Sequence, residues 1–385
     1  MKALVETQQV ANLSYGLWQN GELLSEGHYG PVSGDNGDLT SDTTIHRIYS
    51  MTKPITAIGL LILMERGAFD LDDPITKILP EFGAVEVLAD HDAEGNLYTY
   101  RPTNPPTMRQ LLSHTAGFAY GNRTSTLIDQ RMLDMHLMDA PTSDALISQL
   151  ATLPYARAPG SEWQYSIASD LQGAIIERLT GETLNAFLKR EVFDPLGMAD
   201  TGFYVAADKL NRLSDVTQRS GPGLIDADLE AADKLTRSKS FFRGGDGLFS
   251  TQRDYARFLT FLRDNGRLNG RALLRPKTLQ ELRTNAVRYR GEPSSVSGHG
   301  HAAGLGYGFG VGIVEDSRIS EMAAPPGSYY WTGTLGTWFW VDPENDVFFI
   351  GMVQTVTPLD EDILRSSMHL VYGRPTTYAP DGSMR

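Results

Sequence analysis

Strand patterns occupy both ends of this chain and helical patterns fill most of its middle, which sharply limits how it can fold. Near the N-terminus, residues 13–18 and 23–25 flank Asn20-Gly21, a pair favoured in two-residue turns because both central residues need positive φ. The last third returns to the same pattern. "GYGFGVGIVED" and "YYWTGTLGTWFWVDPENDVFFIGMVQ" alternate bulky apolar residues with small or polar ones, around a turn at residues 342–346. Between these ends, "ASDLQGAIIERLTG" sets Leu171, Ile175, Ile176 and Leu179 on one helical stripe that stops at Gly181. "STQRDYARFLTFLRDNG" offers Thr251 as N-cap and Asn265-Gly266 as terminator, and "LDEDILRSSMHLVYG" reads as an amphipathic helix. One sheet built from both termini accommodates this order. The expectation is an α/β protein in which residues 1–70 and 246–385 carry the sheet. Residues 71–245 form an inserted, mostly helical domain, with a cleft where the two meet.

Composition narrows the chemistry. The 385 residues contain no cysteine, which removes disulfides, zinc–thiolate sites and a cysteine nucleophile. A net charge of -13 repels nucleic acid and anionic membranes, so neither is an expected partner. The longest apolar run, residues 58–64, is far shorter than the roughly 20 residues of a membrane span. The N-terminus turns polar within a few residues and lacks the apolar stretch of a secretory signal, so the reading is cytoplasmic. His299 and His301 in "SGHGHAAG" read as a glycine-rich loop over the cleft, and Asp72-Asp73 and residues 90–92 as solvated turn acids. No metal or cofactor is called for.

The segment "RIYSMTKPITAIGLLILMERG" raises the question of reactivity. Ser50 and Lys53 lie at i and i+3, so they share a helix face. Pro54 is tolerated in a first helical turn, which needs no N–H donor. Ser50 then sits at the helix start, where unpaired N–H groups and the positive dipole end favour an anion. The alternative is an N-cap serine beside a surface lysine, and the spacing alone favours that. Two further segments shift the balance. "PGSEWQYSIASDLQG" places Tyr165 just before a helix, and "YYWTGTLGTWFWVD" places Trp331-Thr332-Gly333 on a strand. Strand alternation puts Tyr329 and Trp331 on one face and Tyr330 on the other.

In this order, the three motifs resemble those of the serine β-lactamase and penicillin-binding protein superfamily. The sequence looks most like class C β-lactamases and their relatives, the family VIII carboxylesterases. "LLSHTAGF", "FDPLGMADTGF" and "GGDGLFST" are further segments similar to that group. The resemblance implies a β-lactamase/DD-peptidase-like fold, with a mainly antiparallel sheet flanked by helices. It also implies that Ser50 becomes acylated, while Lys53 accepts its proton alone or through Tyr165. Backbone N–H groups of Ser50 and Thr334 would hold the oxyanion. Ile167, Trp331, Thr332 and Gly333 would bind substrate.

The chain departs from the lactam-cleaving pattern at two of these positions. Ile167 stands where those relatives typically carry asparagine, and Trp331 where they carry lysine. Both changes exchange polar recognition for apolar surface, which favours a neutral acyl or alkyl group. An alkoxide also leaves more readily than an amine. The expected function is hydrolysis of short- to medium-chain carboxylic esters on Ser50, with a small-molecule ester as partner. A β-lactamase, a D-amino-peptide hydrolase, an acyltransferase and a catalytically silent binding protein on the same scaffold stay open. His114 reads as a structural hydrogen-bonding residue, and Gly244, Gly245 and Gly247 as a tight turn lining the cleft.

Overall fold

In the computed structural model, the two ends of the chain meet in one seven-stranded sheet. The structure describes residues 1–34, 37–121, 126–221, 223–227, 241–268, 270–287, 304–320, 322–357 and 360–373. The strands are β1 (Leu13–Gln19), β2 (Glu22–Tyr29), β3 (Ile45–Arg47), β4 (Val87–His91), β5 (Leu97–Tyr100), β6 (Thr217–Ser220), β7 (Gly223–Asp226) and β8 (Phe249–Thr251). They continue with β9 (Arg267–Leu268), β10 (Arg271–Ala272), β11 (Leu305–Tyr307), β12 (Gly312–Val314), β13 (Tyr329–Thr332), β14 (Trp338–Asp342) and β15 (Val347–Met352). The main sheet runs β11-β12-β13-β14-β15-β1-β2, and every neighbouring pair in it is antiparallel. Asn20 and Gly21 take φ of 52° and 83°, and Gln19 faces Glu22, as a two-residue turn with two positive φ values requires.

The middle of the chain is less purely helical than its pattern suggests. Residues 87–100 form the β4–β5 hairpin, turned at Gly95 with φ of 83°, and β6 pairs with β7. Tyr98 and Tyr100 stand exposed on the first hairpin, so burial does not enforce the alternation that marks a half-buried strand.

Strand alternation splits the core between the two faces of the sheet. Tyr329, Trp331, Phe339, Val341, Phe348 and Ile350 pack toward the Thr52–Glu65 and Gln252–Arg263 helices. Trp338, Trp340, Val347 and Phe349 pack on the opposite side with Ile363, Leu364 and Met368 of the Asp360–Tyr372 helix. There the Ser367 hydroxyl accepts both indole N–H groups, from Trp338 at 3.1 Å and Trp340 at 3.0 Å. The β15 strand is buried along its whole length, which is why its sequence is apolar throughout.

The Thr52–Glu65 helix lies at the centre. Residues 52–63 are all buried, consistent with an apolar composition all round. A Cβ at Gly59 would lie 3.0 Å from both Ile176 Cδ1 and Leu188 Cδ2, so glycine here lets neighbouring helices close in. Gly67, with φ of 79°, follows the helix end as expected. No helix among the described residues is long and apolar enough to cross a membrane.

The β11–β12 connection presses on the start of this helix. Gly310 has φ of 81°, and a Cβ there would lie 2.9 Å from Pro54 N and 3.0 Å from the Lys53 carbonyl carbon. Gly310→Ala is expected to destabilise the protein by about 1–3 kcal/mol through backbone strain and overpacking. Urea denaturation checks this, and an unchanged midpoint would show that the turn relaxes freely.

Candidate active site

The central helix carries a lysine that is fully buried. Lys53 is 0% exposed, and a buried ammonium or amine must find hydrogen-bond partners. Its Nζ donates to Gly245 O at 2.8 Å, Ser50 Oγ at 3.2 Å and Tyr120 OH at 3.4 Å. It also lies 4.6 Å from the Tyr165 ring centroid and 5.4 Å from that of Tyr120. Among the described residues, no carboxylate pairs with it.

Ser50 occupies a short 3₁₀ turn, Tyr49–Met51, immediately ahead of the α-helix that begins at Thr52. The sequence placed it at the helix start, and it lies in this tighter lead-in turn. Tyr49 enters the turn with φ of 43°, an uncommon conformation for a bulky side chain. The Ser50 hydroxyl oxygen accepts from Tyr165 OH at 2.9 Å as well as from Lys53. One serine oxygen therefore touches an amine and a phenol, two groups able to exchange its proton.

Tyr120 and Tyr165 meet edge to face at 5.1 Å. Burial pushes the Tyr120 hydroxyl well above the usual tyrosine range, so Tyr120 remains a neutral phenol and an acceptor for Lys53. Trp331 lies 5.7 Å from Tyr165, and Tyr307 lies 5.2 Å from Trp331 and 5.3 Å from Trp163. These rings form an aromatic wall around Tyr165, the phenol that reaches the serine.

His114 stacks on Tyr165 at 5.1 Å. The Ser166 backbone N–H donates to its Nδ1 at 3.1 Å, so Nδ1 is an acceptor. The ring proton then sits on Nε2, 3.3 Å from Ser169 Oγ. Burial, with Lys53 adding repulsion, drives its pKa well below the ordinary histidine value. His114 is a neutral support for the Tyr165 ring and has the structural bonding read from the sequence.

The remaining sequence-selected residues separate into two groups. Gly333 brings the end of β13 against the chain leading to Ser50, because a Cβ there would lie 2.4 Å from Ile48 O. Thr332 faces Trp338 in the β13–β14 register. Thr334 is exposed in the following turn, whose backbone bonds run from Gly333 N–H to Thr337 O and from Gly336 N–H to Gly333 O. Neither uses the Thr334 N–H. Ile167 differs. It is 1% exposed at the N-cap of the Ala168–Thr180 helix, so its side chain belongs to the core and offers no surface to a substrate. Asp72 and Asp73 pair with Arg109 and Lys77 at the surface, and Asp92 closes a turn on Asn96. His299 and His301 lie outside the described residues.

Sequence reasoning missed Tyr120, Trp163 and Tyr307. A signal for the first was close by, since Tyr120 lies two residues beyond the end of "LLSHTAGF". Trp163 stands two residues ahead of Tyr165 in "PGSEWQYSIASDLQG", whereas Tyr307 reaches the site only through tertiary packing.

A family model described as Beta-lactamase matches residues 1–371. Protein Rv1367c of Mycobacterium tuberculosis is 33% identical over 350 residues, which is 90% of this chain and 86% of that protein. Esterase EstB of Burkholderia gladioli is 29% identical over 341 residues, covering 83% and 80% respectively. Among solved structures, unliganded simvastatin synthase (LovD) from Aspergillus terreus matches with a TM-score of 0.82 and 27% identity, covering 97% of this chain and 96% of that one.

Two buried histidines generate a pH prediction. Burial lowers the pKa of His46 to about 4, and that of His114 well below its ordinary value. The unfolded chain binds protons at these sites near pH 6.5, where the folded protein does not. Their contribution is therefore present above about pH 6.5 and is lost as pH falls toward the folded values, at up to about 1.4 kcal/mol per pH unit for each group. Urea denaturation from pH 7 to 5 should show this slope. His114→Gln should flatten it, and an identical slope in that variant would refute the assignment.

Proposed function

The chain belongs to the beta-lactamase family, and on that premise we propose that it is a serine hydrolase of short- to medium-chain carboxylic esters, working through an acyl-enzyme on Ser50. The observation that carries this reading is the buried Ser50 oxygen held at 3.2 Å from Lys53 Nζ and 2.9 Å from Tyr165 OH. The Ser50 oxygen attacks the ester carbonyl as its proton passes to Lys53, directly or through Tyr165. The negative charge that develops on the carbonyl oxygen turns to the backbone N–H groups of Ser50 and Thr334. Collapse of the intermediate expels the alcohol, which takes a proton back through Tyr165. Water then repeats the attack on the acyl-enzyme and frees Ser50. The water proton passes to Lys53, directly or through Tyr165, and returns to the Ser50 oxygen as the acid leaves.

The aromatic wall favours esters over β-lactams. Trp331 contributes a ring where a carboxylate-binding cation would be required, and Thr332 and Gly333 continue the end of β13 beside it. Ile167 then acts from the core behind the wall, not by touching substrate. The site lies where a helical domain (residues 71–245, supplying Tyr120, Tyr165 and the Gly245 carbonyl) meets a sheet-bearing domain of residues 1–70 and 246–385. The likeness to an esterase, EstB, supports hydrolysis. The likeness to simvastatin synthase supports a second reading, in which an alcohol replaces water as acyl acceptor.

Hydrolysis of p-nitrophenyl butyrate and nitrocefin by wild type and Ser50→Ala tests the proposal. The expected result is ester cleavage that falls roughly 10⁴-fold or more in Ser50→Ala, with little nitrocefin turnover. A normal ester rate in Ser50→Ala would end the acyl-enzyme reading. Strong nitrocefin turnover would move the β-lactamase reading ahead.

A further inference from the structure

We infer that Asp170 is a positioning residue for Lys53, acting through the backbone of Gly245 without touching the amine; this rests on the hydrolase reading above. Asp170 lies in the first turn of the Ala168–Thr180 helix, five residues beyond Tyr165, and is 1% exposed. Its Oδ1 accepts the Gly245 N–H at 3.2 Å and the Arg243 Nε–H at 3.4 Å. Its Oδ2 is buried without a hydrogen-bond partner among the described residues. Gly245 in turn offers its carbonyl to Lys53 Nζ at 2.8 Å, the shortest of the lysine's three hydrogen bonds. A single residue thus receives the carboxylate at one end and holds the lysine at the other.

The turn around Gly245 is wedged between two helices. A Cβ at Gly245 would lie 2.8 Å from Asp170 Oδ2, and one at Gly244 would lie 2.3 Å from Ser169 O. The Thr56 hydroxyl donates to Gly244 O at 2.8 Å, fixing the same turn to the helix of Lys53. The helix start that presents Tyr165 therefore also sets the acceptor that aims Lys53. Both partners of Ser50 are referred to one element.

Charge separates this arrangement from simple packing. Burying a carboxylate is costly when it is incompletely paired, but a charged acceptor holds the Gly245 N–H and the Arg243 guanidinium together more strongly than a neutral amide does. A carboxylate in direct contact with Nζ would hold the lysine protonated and unable to act as a base. At one residue's remove it fixes geometry with a weaker field, which Arg243 balances. Arg243 also pairs with Asp246 at 2.8 Å. The charged and titratable groups around this cluster are Lys53 from the central helix, Tyr120 and His114 from residues 114–120, Tyr165 ahead of the Ala168–Thr180 helix, and Arg243 and Asp246 from the turn.

The test is the pH dependence of kcat/KM for p-nitrophenyl butyrate, and of Ser50 labelling by a fluorophosphonate, in wild type, Asp170→Asn and Arg243→Gln, with thermal unfolding as a check on folding. Asp170→Asn should lower kcat/KM about ten- to a hundredfold through misplacement of Lys53. Removing an anion favours the deprotonated base, so its acid limb should move to lower pH, by about one unit for a unit charge at close range. Arg243→Gln leaves Asp170 unbalanced and should move the limb to higher pH. Folded variants whose limbs coincide with wild type would reduce Asp170 to a structural residue and overturn the inference. If Asp170→Asn does not fold, Arg243→Gln decides alone, and an unmoved or lowered limb overturns it. Wild type that neither labels nor cleaves would overturn the hydrolase reading, and this inference with it.

Discussion

The buried amine of Lys53 is the constraint around which this structure is organised. A lysine buried in the first turn of a largely apolar helix is unfavourable unless each of its donors finds an acceptor. The acceptors come from three places in the chain: Ser50 one turn earlier, Tyr120 beyond a short helix, and the carbonyl of Gly245. Satisfying one side chain therefore ties together segments separated by almost two hundred positions. The same requirement that stabilises the fold assembles the reactive group.

Glycines make the assembly dense enough to work. At Gly333, Gly310, Gly244 and Gly245 the backbone or a functional side chain comes within a distance that any Cβ would occupy. These contacts press three elements (the end of β13, the β11–β12 connection and the turn at residues 244–245) onto the Lys53 helix and its lead-in or onto the helix that follows Tyr165. An aromatic shell of Trp163, Tyr307 and Trp331 closes around Tyr165. The neutral His114 ring beneath it adds stacking without adding charge beside Lys53. The local environment is apolar, so the few polar contacts inside it are strong and directional.

Much of this was legible in advance, for physical reasons that apply at short range. The Asn20-Gly21 turn, the glycine after the central helix and the Thr251 cap with its bond from the Asp254 N–H are decided by backbone conformations within a few residues. The adjacency of Ser50 and Lys53 was legible because i,i+3 spacing sets them side by side, and the Tyr165 and Trp331 segments marked the pair as reactive. The β4–β5 hairpin was not, since its exposed tyrosines carry no burial signal. Ile167 shows a different limit. Its apolar character was read correctly, yet only the packing of the Ala168–Thr180 helix reveals that it faces the core.

The sequence by itself determined the terminal strands, the main helices and the adjacency of Ser50 and Lys53, because periodicity, turn chemistry and i,i+3 spacing are local. Tertiary structure alone decided that Tyr120 and the Gly245 carbonyl share Lys53, and that Asp170 stands one residue behind that carbonyl. These groups are distant along the chain, and no local rule relates them. They meet because a buried amine must be satisfied from every direction at once.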